Sequence, residues 1–322
     1  MLKKLLCLAA LATAGIGAQD AVAQAYPTRT VRIVVPFAAG SATDIMARII
    51  ADELRATFNQ PFVVDNKPGA SAQIGAEVVA KSPPDGYTLF VTTNTSHSAN
   101  PFLFKKLPYD PIKDFTPIAN IMRIPVVIVV GAKTPVNSLN DLVAYAKANP
   151  GKVSFGYGNS IGQVVGASFA KRTGIDVITV PYKSTPQAIT DLMGGQITYS
   201  VADFASGQAF IKEGRLKALA VSSGKRSPIM PELPAMAETK GLEGFDLIAW
   251  VGMLGPAGMP KDIVDKLNAA VRKALAKPEV REKIAGFAAE EAPGTPEELA
   301  AFLKDQLASW GNSVKEAGIQ PE

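Results

Sequence analysis

The pentapeptide Gly158-Asn159-Ser160-Ile161-Gly162 fits G-x-S-x-G, the pattern that presents a nucleophilic serine on a sharp strand-to-helix turn. Its flanks fit too: Val153-Ser154-Phe155-Gly156 reads as a strand, and the residues up to Arg172 read as a helix. Acyl transfer at Ser160 would need a general base, normally a histidine that follows the serine in the α/β-hydrolase order. The chain's single histidine, His97, precedes it. A secreted serine hydrolase using Ser160 is therefore the alternative reading. The preferred one is a glycine-rich loop whose hydroxyl and amide donors, at a helix N-terminus, suit an anion.

A second loop of that kind lies near the start. Phe37-Ala38-Ala39-Gly40-Ser41-Ala42 carries few bulky side chains, so backbone N–H groups can approach a ligand, and a helix opens near Thr43-Asp44. Asp44 either answers the helix dipole, orients the Ser41/Thr43 loop or meets a donor on the ligand. The hydroxyl- and amide-rich run Thr92-Thr93-Asn94-Thr95-Ser96-His97-Ser98 is a third candidate wall. His97 is a ligand contact, a general base or a satisfied loop residue. Asp203 follows a strand; it would bind an amine or hydroxyl of a ligand, or cap a helix. Lys183, in Tyr182-Lys183-Ser184-Thr185, pairs with an anion or is a solvated loop charge. No H-E-x-x-H, histidine pair or cysteine cluster offers a metal site, and no nucleotide fingerprint occurs. No cofactor is expected.

These loops need strands and helices to hold them. Val31–Pro36 is a β-branched run, and Ile45, Met46, Ile49, Ile50 and Leu54 recur at helical spacing. Residues 61–65 and 87–91 read as further strands alternating with helices, the signature of βαβ units. Ligands of such sheets bind beyond the carboxyl ends of the strands, where the loops at 37–42 and 92–98 would face one cleft. The middle of the chain repeats this logic. Val126–Val130 and Phe245–Leu254 read as strands crossing into and out of a second lobe, with helices following at 260–275, 278–287 and 295–314. Thr295 reads as the N-cap of the last, with Pro296 in its first turn. The expected organisation is residues 26–122 plus 246–322 in one lobe and 123–245 in the other, the return crossing lying between 222 and 250.

The first 25 residues read as a cleaved signal peptide: Lys3 and Lys4, an apolar stretch from Leu5 to Gly15, then two A-x-A sites ending at Ala23 and Ala25. The only cysteine, Cys7, lies inside it, so the mature chain has no disulfide or thiol nucleophile. Without residues 1–23 the net charge is +3, with no dense basic patch, which argues against nucleic acid. An apolar content of 47% and a charged content of 19% fit a soluble globular protein held by its core.

Several stretches also resemble one family. VRIVVPFAAGSATD at 31–44, FVVDNKPGASAQIGAE at 62–77, PPDGYTLF at 83–90, ANPGKVSFGYGNS at 148–160, VPYKSTPQAITDLMGGQI at 180–197 and WVGMLGPAGMPKDIVDKLN at 250–268 are similar to the receptors of tripartite tricarboxylate transporters, also called Bug-type receptors. The resemblance implies an α/β, two-lobed, type II periplasmic-binding-protein fold with mostly parallel sheets and two crossover strands. It implies a monomer that closes on a small di-, tri- or aromatic carboxylate and delivers it to integral membrane permease subunits, without catalysis. A receptor feeding a membrane sensor is a further alternative. The implied cleft is lined by Phe37, Ala39, Gly40, Ser41, Thr43, Asp44, Thr93, Asn94 and His97 of one lobe. Tyr157, Asn159, Ser160, Lys183, Ser184, Asp203 and Phe204 line it from the other. The sequence departs from the family pattern at Ala38-Ala39, at Tyr157 with Asn159-Ser160-Ile161, and at Phe204. The aromatic surface of Tyr157 and Phe204 either favours a flat ligand or packs within the lobe.

Overall fold

The structure, a computed structural model, describes residues 26–322. The expected signal peptide lies outside the described residues. Among the described residues no helix is long and apolar enough to cross a membrane.

Strand β1 (Val31–Val35) is almost fully buried because β2 (Phe62–Asn66) and β3 (Thr88–Thr93) pair with it on either side, both in parallel. Helix α1 (Ala42–Phe58) links β1 to β2. It buries Met46, Ala47, Ile50, Ala51 and Leu54, a helical stripe, while Ile45 is turned out and 38% exposed. Ser41 caps its start through a bond from the Asp44 N–H, and Asn59 ends it in the left-handed region at φ 53°. Helix α2 (Gln73–Ala80) links β2 to β3.

Beyond β3 the chain forms a π-helical turn (Thr95–Ala99) that runs into the short helix α3 (Asn100–Leu103). The expected loop at 92–98 is thus strand end plus helical turn, and all seven of its polar residues are buried. Strand β4 (Phe115–Gly131) then crosses the molecule.

The second half repeats the plan of the first. Helix α4 (Leu139–Ala148), capped by Ser138, leads to β5 (Ser154–Tyr157), α5 (Ser160–Thr173), β6 (Ile178–Pro181), α6 (Thr185–Met193), β7 (Tyr199–Asp203), α7 (Phe204–Lys212) and β8 (Leu216–Val221). The strand orders β2-β1-β3 and β6-β5-β7 are equivalent, and both triplets are parallel. The parallel character expected from the sequence stops there. The long strands β4 and β9 (Ile248–Pro256) join each triplet antiparallel, so both sheets are mixed. The reason is geometric: a strand that leaves one half for the other runs against the strands it lies beside.

The change of sheet is sharp. Residues of β4 up to Pro125 pair with β9, and those from Val126 on pair with β7 and β8. The return path lies alongside: the Ser222 hydroxyl donates to Leu247 O at 2.6 Å and accepts from the Val126 N–H at 3.0 Å. Helices α8 (Lys261–Leu275) and α9 (Pro278–Ala285) pack on the first sheet, and β10 (Glu290–Glu291) adds to β4. Helix α10 (Pro296–Ala317) opens with the expected Thr295 cap, reinforced by Glu298, and ends at Gly318. It covers the π-helical turn and reaches α5, where Arg172 meets Glu316 at 3.4 Å.

Candidate functional site

Helices α1, α5, α6 and α7 each follow a strand, and their N-termini converge on one cavity. Its wall is formed by Phe37, Ser41, Ala42 and Thr43 from the start of α1, and Gly158, Asn159 and Ile161 from the start of α5. Ser184 and Thr185 open α6 and Asp203 caps α7, while Thr93, Asn94 and Thr95 complete the wall between them. The first N–H groups of a helix have no partner within it, so these starts bring partial positive charge to the cavity. Each start is locally fixed: Asn159 accepts from the Gly162 N–H at 2.9 Å, and Asp203 accepts from the N–H and hydroxyl of Ser206 at 2.9 and 2.7 Å. Asn159 Nδ2 also reaches Thr185 Oγ1 at 3.4 Å, tying α5 to α6.

The floor is apolar. Ile124 and Val126 of β4 and Ala249 and Val251 of β9 project to one face, each pair two residues apart as a strand requires. The cavity volume is about 40 Å³, room for about three waters. The two walls are held together by a direct bond: the Ser160 hydroxyl donates to Thr95 Oγ1 at 2.9 Å, both residues being buried. A wider mouth of about 290 Å³ lies outside this pair, lined by Pro36, Gly69–Ala72, Tyr157, Gln163, Lys183 and Glu322.

The wall contains no Lys, Arg or His. Its one ionisable group is Asp203, 9% exposed, whose pKa is raised because burial outweighs the bonds from Ser206 and Thr185. Asn94 is 1% exposed, and neither its Nδ2 nor its Oδ1 has a hydrogen-bond partner. A buried amide left open on both atoms is costly in a closed wall. Among the described residues no group of three or more His, Cys, Asp or Glu is assembled that could hold a metal.

Of the residues singled out in the sequence, Phe37, Ser41, Thr43, Thr93, Asn94, Asn159, Ser184 and Asp203 meet on the cavity wall. Ser160, Tyr157 and Lys183 line the mouth instead. The rest lie elsewhere. Ala39 and Gly40 are exposed, and the Gly40 N–H donates to Asp44 Oδ2 at 3.0 Å. Asp44 is buried away from the cavity wall. Burial disfavours its charge, but the bonds from Arg48, Gly40 and Asn66 outweigh that and lower its pKa. Asn66 also donates to Phe37 O at 3.0 Å, so Asp44 is the anchor of the loop before α1. Phe204 packs in the apolar cluster of the second half. His97 is fully buried among Phe90, Phe115 and Trp250, and its Nδ1 bonds Ser96 Oγ at 2.8 Å. Burial pushes its pKa down to about 3. It is a neutral core residue with no bond to Ser160, whose own hydroxyl is bonded to Thr95.

Sequence reasoning missed the floor. Ile124, Val126, Ala249 and Val251 read as ordinary core positions, and nothing local marks which core strand passes beneath a cleft. The Gly69–Ala72 turn at the mouth was also missed. It holds three consecutive non-glycine residues with positive φ, of 45°, 49° and 72° at Ala70, Ser71 and Ala72. Such backbone is strained and rare, and no residue type announces it.

Two βαβ halves, two crossing strands and a cavity between four helix starts are the layout of the periplasmic binding proteins. The comparisons agree. The model of the tripartite tricarboxylate transporter receptor family matches residues 46–319, and the chain belongs to that family. It is 35% identical to the BugT protein of Bordetella pertussis over 314 residues, 96% of this chain and 95% of BugT. A solved R. palustris protein with adipate superimposes with a TM-score of 0.90 at 34% identity, over 92% of this chain and all of the other. The periplasmic binding protein BugD gives 0.87 at 36% identity over 92% of this chain and all of that one. MatC of Rhodopseudomonas palustris, with bound malate, gives 0.83 at 33% identity, over 90% of this chain and all of MatC.

Proposed function

We propose that this receptor captures a small carboxylate in the cavity between the starts of α1, α5, α6 and α7, and presents it to membrane permease subunits without chemical change. The observation that carries the reading is the convergence of four helix N-termini on a wall without Lys, Arg or His. Such a site holds an anion by N–H groups and hydroxyls, which need little reorganisation. Relatives solved with adipate and malate support the carboxylate class.

Residues 26–125 with 248–322 form one lobe in this reading, and residues 126–247 the other, hinged where β4 changes sheet and where Ser222 meets Leu247. A ligand touching both walls selects the closed arrangement. The protein acts in the periplasm as a monomer, after removal of its leader. Thermal denaturation against mono-, di- and tricarboxylates, aromatic acids and uncharged solutes tests the reading, since a ligand of the native state raises stability by mass action. The midpoint rises with one or more carboxylates. A rise with an uncharged solute alone would overturn the anion site.

A further inference from the structure

We infer that Asp203 makes this receptor selective for carboxylates that carry a hydroxyl or ammonium group beside the carboxylate, over unsubstituted dicarboxylates. The inference rests on the carboxylate reading above and names the class of ligand within it.

Asp203 stands at the end of β7, where Val126 of the crossing strand faces it in the ladder. Its carboxyl forms part of the cavity wall and is the wall's only ionisable group. One oxygen, Oδ1, takes both bonds from Ser206, which fix the side chain as the cap of α7. The carboxyl therefore cannot swing out of the wall without uncapping the helix. The floor beneath it is apolar and offers no charge to neutralise it.

A wall of this composition treats the two ends of a ligand differently. Asn94, unpartnered on both amide atoms, and the unpaired first N–H groups of α1 at Ala42 and Thr43 present donors on the first half's side. A carboxylate fits there. Opposite, Asp203 Oδ2, which takes neither Ser206 bond, is placed to accept a bond from an O–H or N⁺–H of the ligand. A hydrogen-bonding site rejects the analogue that lacks the donor far more strongly than an apolar site rejects an extra group, because its buried acceptor is then left unpaired. Ser184 adds a hydroxyl on the same side, since its side chain does not cap α6.

The experiment is calorimetric titration of the intact mature protein with succinate, malate and aspartate, which share one carbon chain and differ in the group at one carbon. Adipate is included as a longer, unsubstituted diacid. The wild type is expected to bind malate or aspartate at least about tenfold more tightly than succinate, equivalent to about 1.4 kcal/mol. In Asp203→Asn and Asp203→Ser, both competent helix caps, that ratio falls to within about threefold because the acceptor for the substituent is gone. Carboxylates that bind the wild type without preference for the substituted ones would overturn this inference and leave the carboxylate reading intact. An unchanged ratio in a folded Asp203→Asn would do the same. If none of the four bound, and only an uncharged solute did, both would fall.

Discussion

The Ser160 hydroxyl donates to the Thr95 hydroxyl across the cavity at 2.9 Å, joining the start of α5 in one half to the π-helical turn in the other. The serine that a motif search would name a nucleophile is thus a latch between two walls. A latch that forms only when the walls meet adds to the closed state. A buried neutral hydrogen bond is worth about 0.5–1.5 kcal/mol net. Ser160→Ala or Thr95→Val should therefore weaken carboxylate binding by about two- to tenfold. The double variant should cost little more than either single change, as a double-mutant cycle reads. Additive losses would separate the two roles. No variant at Ser160 should alter hydrolysis of a test ester.

Two glycines in equivalent strand-to-helix loops should behave oppositely. A Cβ on Gly158 would lie 2.0 Å from Thr185 N and 2.1 Å from the Ser184 carbonyl carbon, so Gly158→Ala must push the backbone of the α6 start out of the cavity wall. Binding should fall by more than tenfold, with a lower melting point. A Cβ on Gly40 meets nothing within 4 Å, although its φ of +84° disfavours a side chain. Gly40→Ala should cost about 1 kcal/mol of stability and leave affinity within about twofold. Calorimetry and melting curves on the same two proteins check both.

Asp44 acts on the ligand through the loop it anchors. It gathers the Gly40 N–H, Arg48 and Asn66, and Asn66 holds Phe37 O. Asp44→Ala leaves Asn66 and the Gly40 N–H without their acceptor, a loss of about 1–3 kcal/mol. Affinity should drop as Phe37 and Ser41 lose their fixed position. Asp44→Asn, which keeps the acceptor oxygen, should recover part of both losses. Equal affinity in all three proteins would remove the positioning role.

The buried histidine sets an acid limit. In the native protein His97 stays neutral down to about pH 3, while the unfolded chain takes up a proton near its ordinary value of 6.5. The unfolded state then binds more protons between these values, so stability falls as pH drops through that window, by up to about 1.4 kcal/mol per unit. Above about pH 7 the effect vanishes. Chemical denaturation from pH 7 to pH 5 should show this slope in the wild type and lose it in His97→Gln. Identical pH dependence of the two proteins would contradict a buried neutral imidazole.

The βαβ alternation, the crossing runs and the cap at Thr295 were legible because each rests on local pattern: β-branched runs, helical spacing, a hydroxyl before an apolar stripe. The wall residues Ser41, Asn159 and Asp203 were legible for the same reason, since helix starts after strands mark themselves, while Ser184 followed from the family resemblance. What failed was depth. Gly40 and Asp44 sit in the right loop, yet one N–H and one carboxylate there satisfy each other. His97 lies in a polar run that looked like a loop, but α10, nearly two hundred residues later in the chain, covers it. The antiparallel β4 and β9 ladders depend on pairing across more than a hundred residues, which no window of sequence reports.

A crystal structure with a bound carboxylate is the sharpest test of the anion site. Ligand carboxylate oxygens should lie about 3 Å from Asn94 Nδ2 and from the N–H groups of Ala42 or Thr43, over the floor of Ile124, Val126, Ala249 and Val251. A ligand bound in the outer mouth beside Lys183, with Asn94 still unpartnered, would contradict it.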